Sequence, residues 1–177
     1  MDPVKVGLLG LGTVGGGTLN VLTRNAEEIA RRAGRDIQIT HAAAKAYDPD
    51  GLSGLDKVEV GDDAFAVVNN PEIDIIVELI GGYSPARELV LEAIENGKHV
   101  VTANKALIAL HGNEIFEAAE KKGVMVAFEA AVAGGIPIIK AVREGLAANK
   151  IEWVAGIING TGNFILTEMK DKGRDFA

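Results

Sequence analysis

Cysteine is absent from all 177 residues. That excludes disulfides, thiolate metal sites, iron–sulfur clusters and cysteine nucleophiles, and it suits a cytoplasmic protein. Proline is scarce, with five residues, and aromatic residues make up only 5%. Trp153 and the few other aromatics read as packing residues, not as a base-stacking platform. No apolar run approaches the ~18 residues of a membrane span. The N-terminal Asp2-Pro3-Val4-Lys5 lacks the positive segment and apolar core of a signal peptide. Basic residues number 18 against 25 acidic ones, a net charge of −7. The basic footprint that supplies nucleic-acid affinity is therefore missing. His41, His99 and His111 are scattered without ligand spacing, and no Ser-His-Asp or metal-hydrolase pattern stands out.

Glycine is abundant, with 22 residues, well above the typical ~7% of a chain. It follows no collagen-like period, so it points to tight turns and close backbone approaches rather than disorder. The length suits one domain, or one domain and part of another, with a real core. No internal repeat or low-complexity segment is present.

Strand and helix patterns alternate. Apolar runs predict strands at 4–9, 37–44, 58–60, 73–80, 100–102 and 124–128. Helical spacing predicts a long helix over 13–33, closed by Gly34, then shorter ones at 62–69, 85–96 and 114–122. Such alternation predicts an α/β fold, a Rossmann-type doubly wound parallel sheet. After Glu129 the texture becomes small and glycine-rich. A helix over 138–146, a strand over 151–158, a tight polar turn at 159–163 and a helix reaching Lys172 follow. These are expected to begin a second domain.

Gly10-Leu11-Gly12-Thr13-Val14-Gly15 follows the first strand and opens a helix, the context in which this glycine spacing binds a dinucleotide. Gly10 permits the turn, Gly12 leaves room for pyrophosphate, and Gly15 lets helix and strand pack closely. The N–H groups of Thr13, Val14 and Gly15 begin a helix whose positive end faces the phosphates. Gly16 and Gly17 have no evident role. The acidic residue that would hold the ribose of NAD at the end of the second strand is missing. Lys45 stands there instead. A cation at that point suits the 2′-phosphate of NADP; the alternative is a solvated lysine, with Asp48 left to serve NAD.

Lys105 follows a strand end on the side where open α/β sheets bind ligands. It offers a proton or a fixed positive charge. Spacing alone fits equally a surface lysine at a helix start. Glu129 closes a strand and precedes a small-residue loop, and capping of the following helix is the plain reading of it.

The sequence resembles homoserine dehydrogenases in several ordered segments: 7–17 (GLLGLGTVGGG), 74–82 (DIIVELIGG), 97–107 (GKHVVTANKAL), 128–139 (FEAAVAGGIPII) and 159–163 (NGTGN). The last departs from that family's Asn-Gly-Thr-Thr-Asn by having Gly162. The resemblance implies reversible, NADP- or NAD-dependent hydride transfer between L-homoserine and L-aspartate 4-semialdehyde, in threonine and methionine biosynthesis. It implies Lys105 as a catalytic residue that also contacts the cofactor, Ala103 and Asn104 as nicotinamide-side contacts, and Thr161 as a substrate contact. It also implies a monovalent cation such as sodium, held by Glu129 and the backbones of Val132, Gly134 and Ile136. Residues 1–132 are then the dinucleotide-binding domain. Residues 133–177 begin an α+β substrate domain that also forms a homodimer in the full-length enzyme. On this resemblance the 177 residues alone are expected to bind cofactor with little turnover. A non-catalytic dinucleotide-binding module is the competing reading. Aspartate-semialdehyde dehydrogenase is disfavoured because its chemistry needs a cysteine.

Overall fold

Consecutive apolar residues in a strand point to opposite faces, so they need cover on both sides. The computed structural model, which describes residues 2–156 and 159–176, meets that need. Its strands are β1 (Val4–Leu9), β2 (Ile37–Ala43), β3 (Glu59–Gly61), β4 (Ile75–Glu78), β5 (His99–Thr102) and β6 (Val126–Ala127). They form one sheet in the order β3-β2-β1-β4-β5-β6, and every pairing is parallel. The expected doubly wound α/β sheet is therefore present, with its strand order reversing between β1 and β4.

Neighbouring residues feed two separate cores. Leu8 and Val77 join Val6, Leu19, Ile39 and Ala42 in one cluster. Leu9 and Ile76 join Val68, Leu89, Ile94, Leu107 and Ile115 in the other. The second cluster is built on α3 (Ala64–Asn69), α4 (Ala86–Glu95) and α5 (Lys105–Lys122). Burying each large aliphatic side chain contributes about 1.5–3 kcal/mol before chain entropy is counted.

Several element bounds differ from the sequence expectation. The helix over 13–33 is two helices, α1 (Thr13–Arg24) and α2 (Ala26–Ala33). They break at Asn25, whose N–H donates to the Val21 carbonyl while its own carbonyl accepts from the Ile29 N–H. Asparagine competes poorly inside helices and settles at their ends. Gly34 closes α2 at φ 78°, as its position suggested. α5 begins at Lys105 rather than residue 114, because Asn104 caps it: its Oδ1 accepts from the Leu107 N–H at 3.1 Å. Gly112 looks unfavourable there by propensity. It is buried, and a Cβ on it would lie 3.4 Å from the Phe116 ring. β4 ends at Glu78 because the next free N–H groups, those of Ile80 and Gly81, bond to the Glu78 carboxylate instead of a neighbouring strand.

The chain divides into two compact units, Met1–Ile139 and Lys140–Ala177. The helix expected over 138–146 is a single turn, α6 (Ile138–Lys140), followed by wider π-type turns over Ala141–Gly145. In the second unit, α7 (Gly160–Lys172) takes in most of the expected polar turn at 159–163. Asn159 caps it, its Oδ1 accepting from the Gly162 N–H. Residues 151–156 lie outside any strand. No described strand pairs with them, and a ladder needs a partner. Residues 157 and 158, the end of that expected strand, lie outside the described residues.

Candidate functional site

One row of residues ends four strands at the same level. Leu9 pairs with Ala43 on one side and Glu78 on the other, and Glu78 pairs with Thr102. The chain leaves this row into loops at 10–12, 44–45, 79–82 and 103–104. Gly10, Gly12, Thr13, Val14, Gly15, Lys45, Ala103, Asn104 and Lys105 therefore all lie at the carboxyl edge of the sheet, around the point where strand order reverses. That is where open α/β sheets form a ligand crevice.

The glycine loop shows why its spacing matters. Gly10 has φ 99°, and its N–H donates to the Ala43 carbonyl at 2.8 Å. A Cβ on Gly10 would come within 2.9 Å of the Leu79 carbonyl oxygen, and one on Gly15 within 1.9 Å of the Gly10 carbonyl oxygen. Gly12 is different: nothing lies within 4 Å of its would-be Cβ. It precedes α1 without a side-chain cap, and the first turn holds no acidic residue. The leading N–H groups of α1 precede its intrahelical ladder and have no side-chain cap, with a positive helix end behind them, an arrangement that fits a pyrophosphate. Gly16 gains an explanation that spacing did not offer. A Cβ there would meet Leu52 Cδ2 at 2.7 Å, so Gly16 packs against the loop after β2, although a leucine end can shift.

Lys45 is exposed just beyond β2 and bonds to no described residue. The Asp48 carboxylate accepts from the Asp50 N–H at 2.9 Å and so closes a local turn.

The other side of the row is held by a carboxylate that sequence reasoning left unassigned. Glu78 is fully buried. Its Oε1 accepts from the N–H groups of Ile80 (2.8 Å) and Gly81 (3.2 Å), and its Oε2 from the Thr102 hydroxyl at 2.7 Å. The Thr102 oxygen accepts in turn from the Asn104 N–H at 3.0 Å, and Asn104 Nδ2 donates to the Gly82 carbonyl at 2.7 Å. Lys105 is the first residue of α5, exposed, and bonds to no described residue. An acid at a strand end three residues before a glycine pair is the only signal the sequence held for this network.

Glu129 lies in a short 3₁₀ turn, Glu129–Ala131, and its Oε1 accepts from the Ile139 N–H at 3.0 Å in α6. The helix-capping contact is thus present. The Ile136 carbonyl accepts from the Ile138 N–H at 2.8 Å. Val132 and Gly134 lie in the same loop, where Ala133 (φ 48°) and Gly135 (φ 86°) turn the backbone sharply. No group of three or more His, Asp or Glu converges among the described residues. Thr161 belongs to the second unit, exposed in the first turn of α7. No described helix is long and apolar enough to cross a membrane.

A cavity of about 600 Å³ lies at the opposite, amino end of the strands, lined by Val4, Arg35, Asp74, Lys98 and His99 among others. Volume alone is a poor guide here, because the helix N-terminus and the glycine loop are at the other end.

Residues 10–129 match the family model of the homoserine dehydrogenase NAD binding domain, and residues 137–177 match the homoserine dehydrogenase model. A homoserine dehydrogenase of Pseudomonas aeruginosa is 70% identical over 176 residues, covering 99% of this chain and 40% of that protein. The crystal structure of a homoserine dehydrogenase from Thiobacillus denitrificans is 68% identical, with a TM-score of 0.89 over 98% of this chain and 40% of that one. A hyperthermophilic archaeal homoserine dehydrogenase in complex with NADPH is 25% identical, with a TM-score of 0.81 over 98% of this chain and 58% of that one. The chain spans about 40% of the length of the Pseudomonas and Thiobacillus proteins. With a family model over residues 10–129 and relatives at this identity, the chain belongs to the homoserine dehydrogenase family.

Proposed function

We propose that this chain carries the cofactor side of homoserine dehydrogenase activity in the cytoplasm. L-homoserine and L-aspartate 4-semialdehyde are interconverted on the route to threonine and methionine, with NADP preferred to NAD. Residues 1–132 hold the cofactor. Residues 133–177 begin the domain that binds the substrate and pairs two copies, with Thr161 contacting the substrate. One observation carries the reading: the glycine loop and the start of α5 with Lys105 open from the same row of the sheet, at its carboxyl edge.

Gly10, Gly12 and Gly15 shape the loop, and the N–H groups of Thr13, Val14 and Gly15 bind the pyrophosphate. Lys45 has no partner among the described residues to give up, so its ammonium is available to a 2′-phosphate. When bound, the nicotinamide supplies the hydride acceptor. Ala103 and Asn104 bound its site. As the substrate carbon loses hydride, its hydroxyl must lose a proton, and Lys105 stabilises the oxygen by positive charge or proton exchange. A monovalent cation such as sodium is held by Glu129 with the carbonyls of Val132, Gly134 and Ile136. All four offer oxygen, which suits a hard ion. The Ile136 carbonyl oxygen, which accepts the Ile138 N–H, keeps a further lone pair.

Fluorescence titration of the 177-residue chain with NADPH and NADH tests the cofactor reading. Saturable binding, tighter for NADPH, is expected; binding of neither removes the reading. The same chain is expected to oxidise homoserine slowly or not at all, because it spans about 40% of its relatives' length. Rates like those of a relative assayed in full would refute that part.

A further inference from the structure

We propose that Glu78 is a positioning residue. Its buried carboxylate sets the hydrogen-bond direction that locks the Lys105 helix start to the 80–82 loop, and so shapes the nicotinamide half of the cofactor site. This rests on the cofactor reading above.

A fully buried carboxylate is costly unless its lone pairs are satisfied. Glu78 forms no ion pair with a described basic residue and is held by three donors instead. Binding two loop N–H groups needs only a neutral oxygen. The third bond needs more. A carboxylate only accepts. Facing it, the Thr102 hydroxyl must donate, which turns its own lone pairs toward the Asn104 N–H. The result is a one-way relay from the Asn104 N–H through the Thr102 hydroxyl to Glu78 Oε2.

The relay ends on Asn104, which is tied at three points. Its N–H is bound by Thr102, its Oδ1 caps α5 at Leu107, and its Nδ2 reaches the Gly82 carbonyl. Glu78 holds the same 80–82 loop from beneath through Ile80 and Gly81. The ring closes through both loops, with Lys105 one residue beyond Asn104. None of these groups belongs to the glycine loop or to Lys45. The glycine loop packs against the Leu79–Ile80 backbone but shares no described hydrogen bond with the Glu78 side chain, so the adenosine and pyrophosphate half of the site depends on Glu78 less than the nicotinamide half does.

Glu78→Gln keeps the shape and the acceptor for Ile80 and Gly81 but can place an amide N–H₂ against Thr102, whose hydroxyl must then turn to accept and no longer donates along the relay. The test compares the better-bound reduced dinucleotide with its own adenosine half: NADPH against adenosine 2′,5′-bisphosphate, or NADH against ADP. Glu78→Gln is expected to weaken the dinucleotide about tenfold, the loss of one charge-assisted hydrogen bond, while the adenosine half binds as in the wild type. Thr102→Val should behave alike, and Thr102→Ser, which keeps the hydroxyl, should restore the wild-type ratio. If Glu78→Gln does not fold, the two Thr102 variants decide alone. An unchanged ratio of the two affinities, or equal loss of both, overturns the assignment. A wild-type chain that binds neither probe overturns the cofactor reading instead.

Discussion

Gly15 stands so close to Gly10 that a Cβ on Gly15 would lie 1.9 Å from the Gly10 carbonyl oxygen. The neighbour is backbone, so no side chain can rotate away. Gly15→Ala is expected to cost about 1–3 kcal/mol and to lower dinucleotide affinity, since the loop must shift. Gly12→Ala is the contrast. It meets no atom within 4 Å, so its Tm should match the wild type while affinity falls about tenfold, ~1.4 kcal/mol. Thermal melts and cofactor titrations on both variants check this. Equal behaviour would argue against a loop with one packing glycine and one ligand-facing glycine.

Lys45→Ala should weaken NADPH binding and leave NADH binding unchanged. Loss of an exposed charge-assisted contact is worth about 1–2 kcal/mol. Equal NADPH affinity in the variant removes the role proposed for Lys45.

Lys98 is buried beneath the opposite end of the sheet, and its Nζ donates to the carbonyls of Asn70 (2.6 Å) and Ile73 (2.7 Å). Lys98→Met should destabilise the fold at neutral pH by about 1–3 kcal/mol, the cost of orphaned carbonyls. Burial also holds the Lys98 ammonium below the ordinary lysine range, with Asp74 opposing the shift. The folded form then releases this proton at lower pH than the unfolded chain does. Between those two pKa values the unfolded chain binds more protons, so stability rises with pH. Urea unfolding of the wild type across that window should show the rise, and Lys98→Met should lack it.

Lys105→Ala, made in a relative that is assayed in full, should reduce kcat by on the order of 10²–10⁴, with a smaller loss of cofactor affinity. A loss confined to cofactor binding would reassign Lys105 to the dinucleotide. In the present chain the same substitution should leave the Tm unaltered, because its side chain is exposed and bonds to no described residue.

The sheet, its two-sided burial and the dinucleotide loop were legible along the chain, because each depends on local spacing. Apolar runs, the glycine interval and the stops at Gly34 and Gly123 act within a few residues of themselves. The family resemblance was likewise carried by contiguous segments. Spacing failed where distant residues decide. α5 begins at Lys105 through an Asn104 cap that is itself tied to Gly82. Gly16 is explained only by Leu52 crossing over it, and β4 stops early because Glu78 takes the N–H groups that would have continued the ladder. The Glu78–Thr102 pairing joins residues far apart in sequence that meet only when β4 and β5 align. The sequence alone determined which stretches of the first unit carry the strands and where the glycine loop falls, since side-chain period and backbone freedom are local properties. Only the tertiary structure decided which carboxylate is buried at the carboxyl edge and what it holds, since burial and hydrogen-bond partners exist only once the strands are side by side.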